Sequence, residues 1–283
     1  VTYGTLYVIA TPIGNLTDIS RRALDTLNKV HILACEDKRH SSHLLQQFDI
    51  KTKLVALHAH NEQKASSYLL EKLLEGKDIG LISDAGTPLI SDPGFYLVKI
   101  ATKAGIKVSP IAGPCAAIAA LSASAISSAS FVFEGFLPAK SSTRKQKLTE
   151  LQHETRTLIF YEAPHRILET VSDLVDIFGG ERLVTLAREI SKTFETILHD
   201  SLAELLIKIN TDLNQQRGEC VLIIEGNQNI TNHKNQLDEK NLNILKILLA
   251  ELPVKKAVKL TAQITEVRKN LIYEQALKLV YNS

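Results

Sequence analysis

Residues 78–113 read DIGLISDAGTPLISDPGFYLVKIATKAGIKVSPIAG. Two short apolar runs, DIGLIS and IKVSPIAG, flank DPGFYLVKIATKAG, whose apolar residues recur at helical spacing. A strand, a helix and a second strand in so short a span form a crossover between parallel strands. Within it Asp92 reads as the helix N-cap, Pro93 as a first-turn residue and Gly105 as the C-cap.

The same alternation extends towards the N-terminus. TLYVIATP, HILACE and KLVALHAH read as strands, and DISRRALDTLNKV, SSHLLQQF and EQKASSYLLEKLLEG as the helices between them. Downstream, PCAAIAALSAS reads as a helix of small residues. These elements predict an α/β unit over 1–126 with a mainly parallel sheet covered on both faces. Ligands of such sheets bind at the carboxyl ends of the strands. A second α/β unit is expected over 127–228. Its strands are FVFEGFLP, TLIFYEAP, RLVTLARE and GECVLIIEG, its helices RKQKLTELQ and HRILETVSDLVDIFG, and its sheet mixed. Residues 229–283 are expected to be linker and helical extension, with the polar NQNITNHKNQ (227–236) as the joint.

Composition narrows the class. The chain has 283 residues, 45% hydrophobic and 23% charged, with a net charge of +2, so total charge dictates no polyanionic partner. Local basic segments remain. AKSSTRKQK (139–147) supplies Lys140, Arg144, Lys145 and Lys147, and the tail supplies Lys255, Lys256, Lys259, Arg268 and Lys269. Cys35, Cys115 and Cys220 are widely separated and odd in number, which argues against a disulfide framework or structural zinc and for the reducing cytoplasm. Residues 108–133 carry no charge, but their prolines, alanines and six serines suit a buried strand, turn and helix rather than a membrane span. The strand-like start shows no signal-peptide pattern, and with no methionine anywhere Val1 is not expected to be the translation start.

Three strand ends carry unusual turns: ATPIGNLTD (10–18), SDAGTP (83–88) and IAGPCAAIAA (111–120). On a parallel sheet they share one edge and line one cleft. Neither G-x-x-x-x-G-K-[ST] nor G-x-G-x-x-G is present, and Asp84 would repel phosphate. S-adenosylmethionine fits such an edge better. Its sulfonium and ammonium suit a carboxylate, and Ala116, Ala117, Ala119 and Ala120 would let the backbone approach a flat adenine. Two alternatives stay open at this stage. The Gly and Pro residues could merely make turns. Alternatively, Glu36, Asp37, His40 and His43, with His58 and His60 on one strand face, could hold a metal for a hydrolase.

LYVIATPIGNLTDISRRAL, EDKRHSSHLL, HNEQ, LISDAGTPLISDPG, GPCAAIAALSAS, FEGFLPAK, TLIFYEAPHRI, AREISKTFET and RGECVLIIEG run in order through residues 6–226. Together they resemble the tetrapyrrole methylase-like family, and within it the subgroup that modifies ribosomal RNA. The porphyrin-building members carry G-D-P where this chain has Ala85-Gly86-Thr87-Pro88. The tail, LPVKKAVKLTAQITEVRKNLIYEQAL, resembles the subgroup's C-terminal helical extension. The resemblance implies two α/β domains with the cofactor between them, a homodimer, and S-adenosylmethionine-dependent methylation of a cytidine ribose 2′-hydroxyl in 16S rRNA of the small ribosomal subunit. A tetrapyrrole substrate is the alternative. Carried over by motif, the cofactor wall comprises Pro12, Gly14, Asp84, Ala85, Gly86, Thr87, Pro114, Cys115 and Ala116. From the second unit it adds Phe136, Tyr161, Ala163 and Ala187. No metal is expected.

A ribose hydroxyl is a weak nucleophile, so a base or charge stabiliser is expected beside it. Candidates are Glu36, Asp37, Arg39, His58, His60, Glu162, His165, Arg166, Arg188 and Glu189. Glu36, Arg39 and Arg166 are favoured as catalytic residues, the arginines as phosphate or ribose anchors. The tail's two-helix pattern is expected to form a helix-turn-helix-like RNA-docking module.

Overall fold

The computed structural model describes residues 2–228, 239–265 and 267–281. The first unit holds β1 (Thr5–Ile9), α1 (Arg21–Lys29), β2 (Ile32–Cys35), α2 (Lys38–Gln47), β3 (Lys53–Ala56), α3 (Glu62–Leu74), β4 (Ile79–Leu81), α4 (Phe95–Lys103), β5 (Lys107–Ile111) and α5 (Ala116–Ser122). Its sheet is parallel throughout, in the order β3-β2-β4-β1-β5. The chain leaves β1 towards β2 on one side and leaves β4 towards β5 on the other. The gap between β1 and β4 is therefore the point where strand order reverses, the place where such sheets bind ligands. The interior strands read ILAC and IGL because both faces are covered. One apolar cluster joins Leu6, Ile79 and Leu81 to α3 and α4, and the other joins Ile9 and Leu33 to α1 and α2.

The second unit holds β6 (Phe131–Phe136), α6 (Ser141–Leu151), β7 (Thr157–Glu162), α7 (Ile167–Phe178), β8 (Leu183–Arg188), β9 (Thr196–Ser201), α8 (Leu202–Thr211) and β10 (Cys220–Ile224). Its order is β6-β7-β10-β8-β9, with β6 and β7 parallel and the other pairs antiparallel, so the sheet is mixed. β9 and α8 carry no expectation from sequence. β9, TILHDS, is a partly exposed edge strand without clean alternation. α8 is capped by Ser201 and buries Leu202, Leu205 and Ile209 against the face covered by α6 and α7.

α5 links the units. Ala117, Ala120 and Leu121 pack on Ile159, Ala187, Val221 and Ile223 of the second sheet. The alanines expected to admit a cofactor mostly serve this close helix–sheet contact instead. Beyond residue 238 three helices, α9 (Glu239–Glu251), α10 (Val254–Thr265) and α11 (Lys269–Tyr281), enclose a small core of Leu245, Val258, Val267, Ile272 and Ala276. Of NQNITNHKNQ, only Asn227 and Gln228 lie within the described residues, and the Asn227 N–H donates to Glu154 O at 2.7 Å. Among the described residues no helix is long and apolar enough to cross a membrane.

Three local expectations fail. Asp92 does not cap α4, which starts at Phe95 after Gly94, so Pro93 also lies outside the helix. The cap comes from Glu62, whose Oε1 accepts from Gly94 N at 2.9 Å and Tyr96 N at 3.0 Å. His58 and His60 lie beyond the end of β3, in a turn held by Asn61, and share no strand face. The segment 139–147 is not a free basic patch. Arg144 is fully buried and donates to Asp173 Oδ2 at 2.7 Å, while Lys145 pairs with Asp173 and Asp176 and Lys147 with Glu134.

Candidate functional site

The three turns predicted to share an edge are tied together. Thr11 N donates to Gly86 O at 2.8 Å and Gly86 N to Thr11 O at 3.1 Å, bridging the loop after β1 to the loop after β4. The Thr87 hydroxyl donates to Pro114 O at 2.9 Å, joining the loop after β5. Gly86 has φ +79°, and a Cβ there would lie 3.2 Å from Ile13 Cγ2, so conformation and space both favour glycine.

The second unit closes the edge. The loop after β8 reaches the first unit through the Ser191 hydroxyl, which donates to Asp18, and through Lys192, which packs where a Gly14 side chain would lie. Among the described residues six non-glycine residues have positive φ. Four of them, Leu89, Ser91, Glu189 and Ser191, lie in the two loops that face each other here. Such conformations persist only where the surroundings impose them, and they concentrate at functional sites.

Between these walls lies a cleft of about 360 Å³. Of the expected cofactor wall, Asp84, Ala85, Gly86, Thr87, Ala116, Phe136, Tyr161 and Ala163 line it. Pro12 and Gly14 flank Ile13, which lines it in their place. Pro114 and Cys115 precede Ala116 in the chain but are not among the lining residues, and Ala187 is fully buried in the core under α5. Glu36, Arg39 and Arg166 lie outside the lining, as do Asp37, His58, His165, Arg188 and Glu189. The lining adds residues that the sequence did not single out, above all Asp92, Ile190 and Glu219. A signal for Asp92 was present: the triplet Ile-Ser-Asp occurs at 82–84 and again at 90–92, and both aspartates reach the cleft.

The lining contains four carboxylates and no lysine, arginine or histidine. Glu162 is buried and saturated. It accepts from Arg166 Nη2 at 2.5 Å, Thr170 Oγ1 at 2.6 Å and Ala163 N at 2.7 Å. Arg166 is held by Glu162 while its buried Nε has no hydrogen-bond partner among the described residues, and the Arg188 guanidinium donates to Arg217 O, Phe194 O and Thr196 Oγ1. Glu219 is exposed and pairs with Lys192 at 3.1 Å. Among the described residues Asp84 accepts only the Asp37 N–H, at 3.2 Å, while Asp37 itself caps α2. Partial burial, then the nearby Asp84 charge, raises the Glu36 carboxyl. Asp92 is raised to about 6, chiefly by burial, opposed by Ser83 and reinforced by Glu36 and Asp84.

The aromatic wall is built from Tyr161, whose hydroxyl accepts from Ala117 N at 3.2 Å and whose ring meets Phe133 and Phe136 at 5.0 and 5.6 Å. Burial raises the Tyr161 phenol, so it stays protonated. Phe136 is 55% exposed at the mouth, a free apolar face beside polar walls. Burial likewise pushes the Cys220 thiol up to about 12, which rules it out as a nucleophile near neutral pH. Among the described residues no group of three His, Cys, Asp or Glu side chains converges as a metal-ligand set. The histidine–carboxylate segments expected as a hydrolase alternative therefore do not assemble.

Residues 5–206 match the family model described as Tetrapyrrole (Corrin/Porphyrin) Methylases, and residues 235–280 match the one described as RsmI C-terminal HTH domain. The Pseudomonas aeruginosa protein named ribosomal RNA small subunit methyltransferase I is 56% identical over 275 residues, covering 97% of each chain. Its namesakes from Vibrio cholerae and Escherichia coli O157:H7 are 54% and 51% identical, over 96% and 97% of this chain and 94% and 95% of theirs. Among solved structures, the methyltransferase CobJ superposes with a TM-score of 0.59 at 15% identity, covering 79% of this chain and 94% of its own. Uroporphyrin-III C-methyl transferase from Thermus thermophilus, complexed with S-adenyl homocysteine, gives 0.55 at 14%, covering 78% and 97%. These two likenesses establish the fold alone. The chain belongs to the tetrapyrrole methylase family and, within it, to the ribosomal RNA small subunit methyltransferase I group.

Proposed function

We propose that this chain transfers a methyl group from S-adenosylmethionine to the ribose 2′-hydroxyl of a cytidine in 16S rRNA of the small ribosomal subunit. The observation that carries the reading is the cleft at the strand-order reversal, lined by four carboxylates, backbone and aromatic rings and by no basic side chain. Such a wall favours a cationic ligand without phosphate over a nucleotide phosphate. The rRNA substrate follows the relatives named for it, which match nearly the whole chain.

In this reading Asp84, Ala85, Gly86, Ala116, Tyr161 and Ala163 hold the cofactor, which supplies a methyl carbon activated by sulfonium. Phe136 offers a ring face at the mouth. The tied loops fix these groups before binding, so alignment costs little at the moment of reaction. Glu36 lies at the end of β2, beside the cleft, and Arg39 is exposed in the first turn of α2, where it can grip an RNA phosphate. Arg166 acts at one remove, by holding Glu162 and the start of α7. On α10, Lys255, Lys256 and Lys259 form an exposed basic face for RNA phosphates. The proposal includes a homodimer in the cytoplasm, with the oligomer tested by light scattering.

The test is transfer of labelled methyl from S-adenosylmethionine to small subunits lacking the modification, followed by nucleoside analysis. Label in 2′-O-methylcytidine supports the reading. Label on a base, or transfer to a tetrapyrrole and not to rRNA, overturns it.

A further inference from the structure

We propose that Asp92 is the proton acceptor for the reacting hydroxyl. This rests on the methyl-transfer reading above and names a residue that neither the family motif nor the loop sequence marks as catalytic.

Asp92 does not cap the helix that follows it. It precedes a helix and has the residue type of a cap, yet Glu62 supplies the α4 cap from 32 residues away. Its carboxylate is free of helix duty and lines the cleft. The loop holds it there under constraint. Leu89 and Ser91 have φ of +72° and +71°, and a Cβ on Gly135 of the second unit would meet the Ser91 hydroxyl at 2.9 Å. The second unit thus comes up against the residue preceding Asp92.

Elimination among the cleft carboxylates points the same way. Glu162 already accepts three hydrogen bonds, Glu219 is exposed and paired with Lys192, and Asp84 accepts the Asp37 N–H. Among the described residues no donor hydrogen-bonds the Asp92 carboxylate, the neighbouring Ser83 hydroxyl donating to Ala85 O at 3.2 Å. The charged and titratable groups around it are Glu36 and Asp84 from the first unit and Tyr161 from the second, with Glu162, Glu219 and Cys220 further round the same cleft. None is a cation that would hold the carboxylate ionised and unreactive. Its affinity for a proton, about 6, suits a base working near neutral pH.

The step balances. A lone pair of the 2′-oxygen forms the new O–C bond, the C–S bond breaks with its electron pair left on sulfur, and the hydroxyl proton passes to the Asp92 carboxylate. Bulk water then removes that proton.

The experiment uses the full chain. Single-turnover methyl transfer to small subunits is followed from about pH 5 to about pH 8.5 at saturating S-adenosylmethionine, for wild type, D92N and D92E, with cofactor affinity measured by calorimetry. We expect the wild-type rate to rise with pH around a midpoint near 6. D92N should lower the rate by about 10²- to 10⁴-fold and abolish that limb while still binding S-adenosylmethionine, and D92E should restore part of both. A D92N enzyme that keeps the limb, or regains the wild-type rate once cofactor saturates, overturns the assignment and leaves Asp92 a binding residue. A wild-type chain that neither binds S-adenosylmethionine nor transfers methyl overturns the functional reading itself, and this assignment with it.

Discussion

On the wall built by the second sheet, Glu162 is enclosed by Arg166, Thr170 and the Ala163 N–H. On the wall built by the first sheet, Asp84 has one backbone donor and Asp92 has none among the described residues. Both walls present carboxylates to the same cleft, yet only the first leaves them short of partners. Even a partly buried charge without partners carries a cost unless a ligand or a proton supplies the balance. Glu162 of the second wall is therefore tied into the fold, whereas the first wall's Asp84 and Asp92 keep hydrogen-bonding capacity open to a ligand or a proton.

The sharpest break of that contrast is Glu162→Ala. It leaves the partly buried Arg166 guanidinium and the buried Thr170 hydroxyl without their partner and should cost about 3 kcal/mol in urea denaturation. A loss below about 1 kcal/mol would mean that Glu162 is not structural. Asp84→Ala should do the reverse. The melting temperature should hold while S-adenosylmethionine affinity falls about tenfold or more, near 1.4 kcal/mol, by calorimetry. Equal affinity would remove the first wall from the cofactor site.

Glu62→Ala tests the reassigned cap and should cost about 1 kcal/mol, read as a shift in denaturation midpoint without change in slope. Asp92→Asn should give the smallest change, with the opposite sign. The Asp92 pKa is raised from 3.8 to about 6, so the folded state binds the proton more tightly than the unfolded chain. Wild-type stability accordingly declines as pH rises between those values, and the neutral amide escapes that decline. The variant should melt higher than wild type near neutral pH, with the difference gone below about pH 4. Solvent screening of a half-exposed group keeps the gain small. A variant less stable at every pH would return Asp92 to a capping role.

The contrast between the walls also marks how much the sequence could tell. Strand–helix alternation, the parallel first sheet and the meeting of three turns were legible, because each rests on local periodicity and turn chemistry. So were Asp84 to Thr87, the residues at the end of β4. Asp92 was misread because a local cap looked adequate, while the actual cap arrives from α3 through the tertiary fold. Arg144 read as a surface cation because nothing nearby in sequence shows that Asp173, on α7, will bury it. The histidine pair at 58 and 60 depended on a strand that stops at Ala56. Ala117 and Ala120 of α5 were read for a ligand and serve a sheet, since small residues admit either. Ile190 and Glu219 belong to a wall that exists only once the two units close on each other.

In the proposed reading the carboxylate-lined cleft binds S-adenosylmethionine without help from a metal. Calorimetric titration of the full chain with S-adenosylmethionine, with and without a chelator, tests it most directly. Saturable binding at one site per chain is expected, unchanged by the chelator and weakened in Asp84→Ala. No binding heat at any temperature tried, or binding that the chelator abolishes, would contradict it.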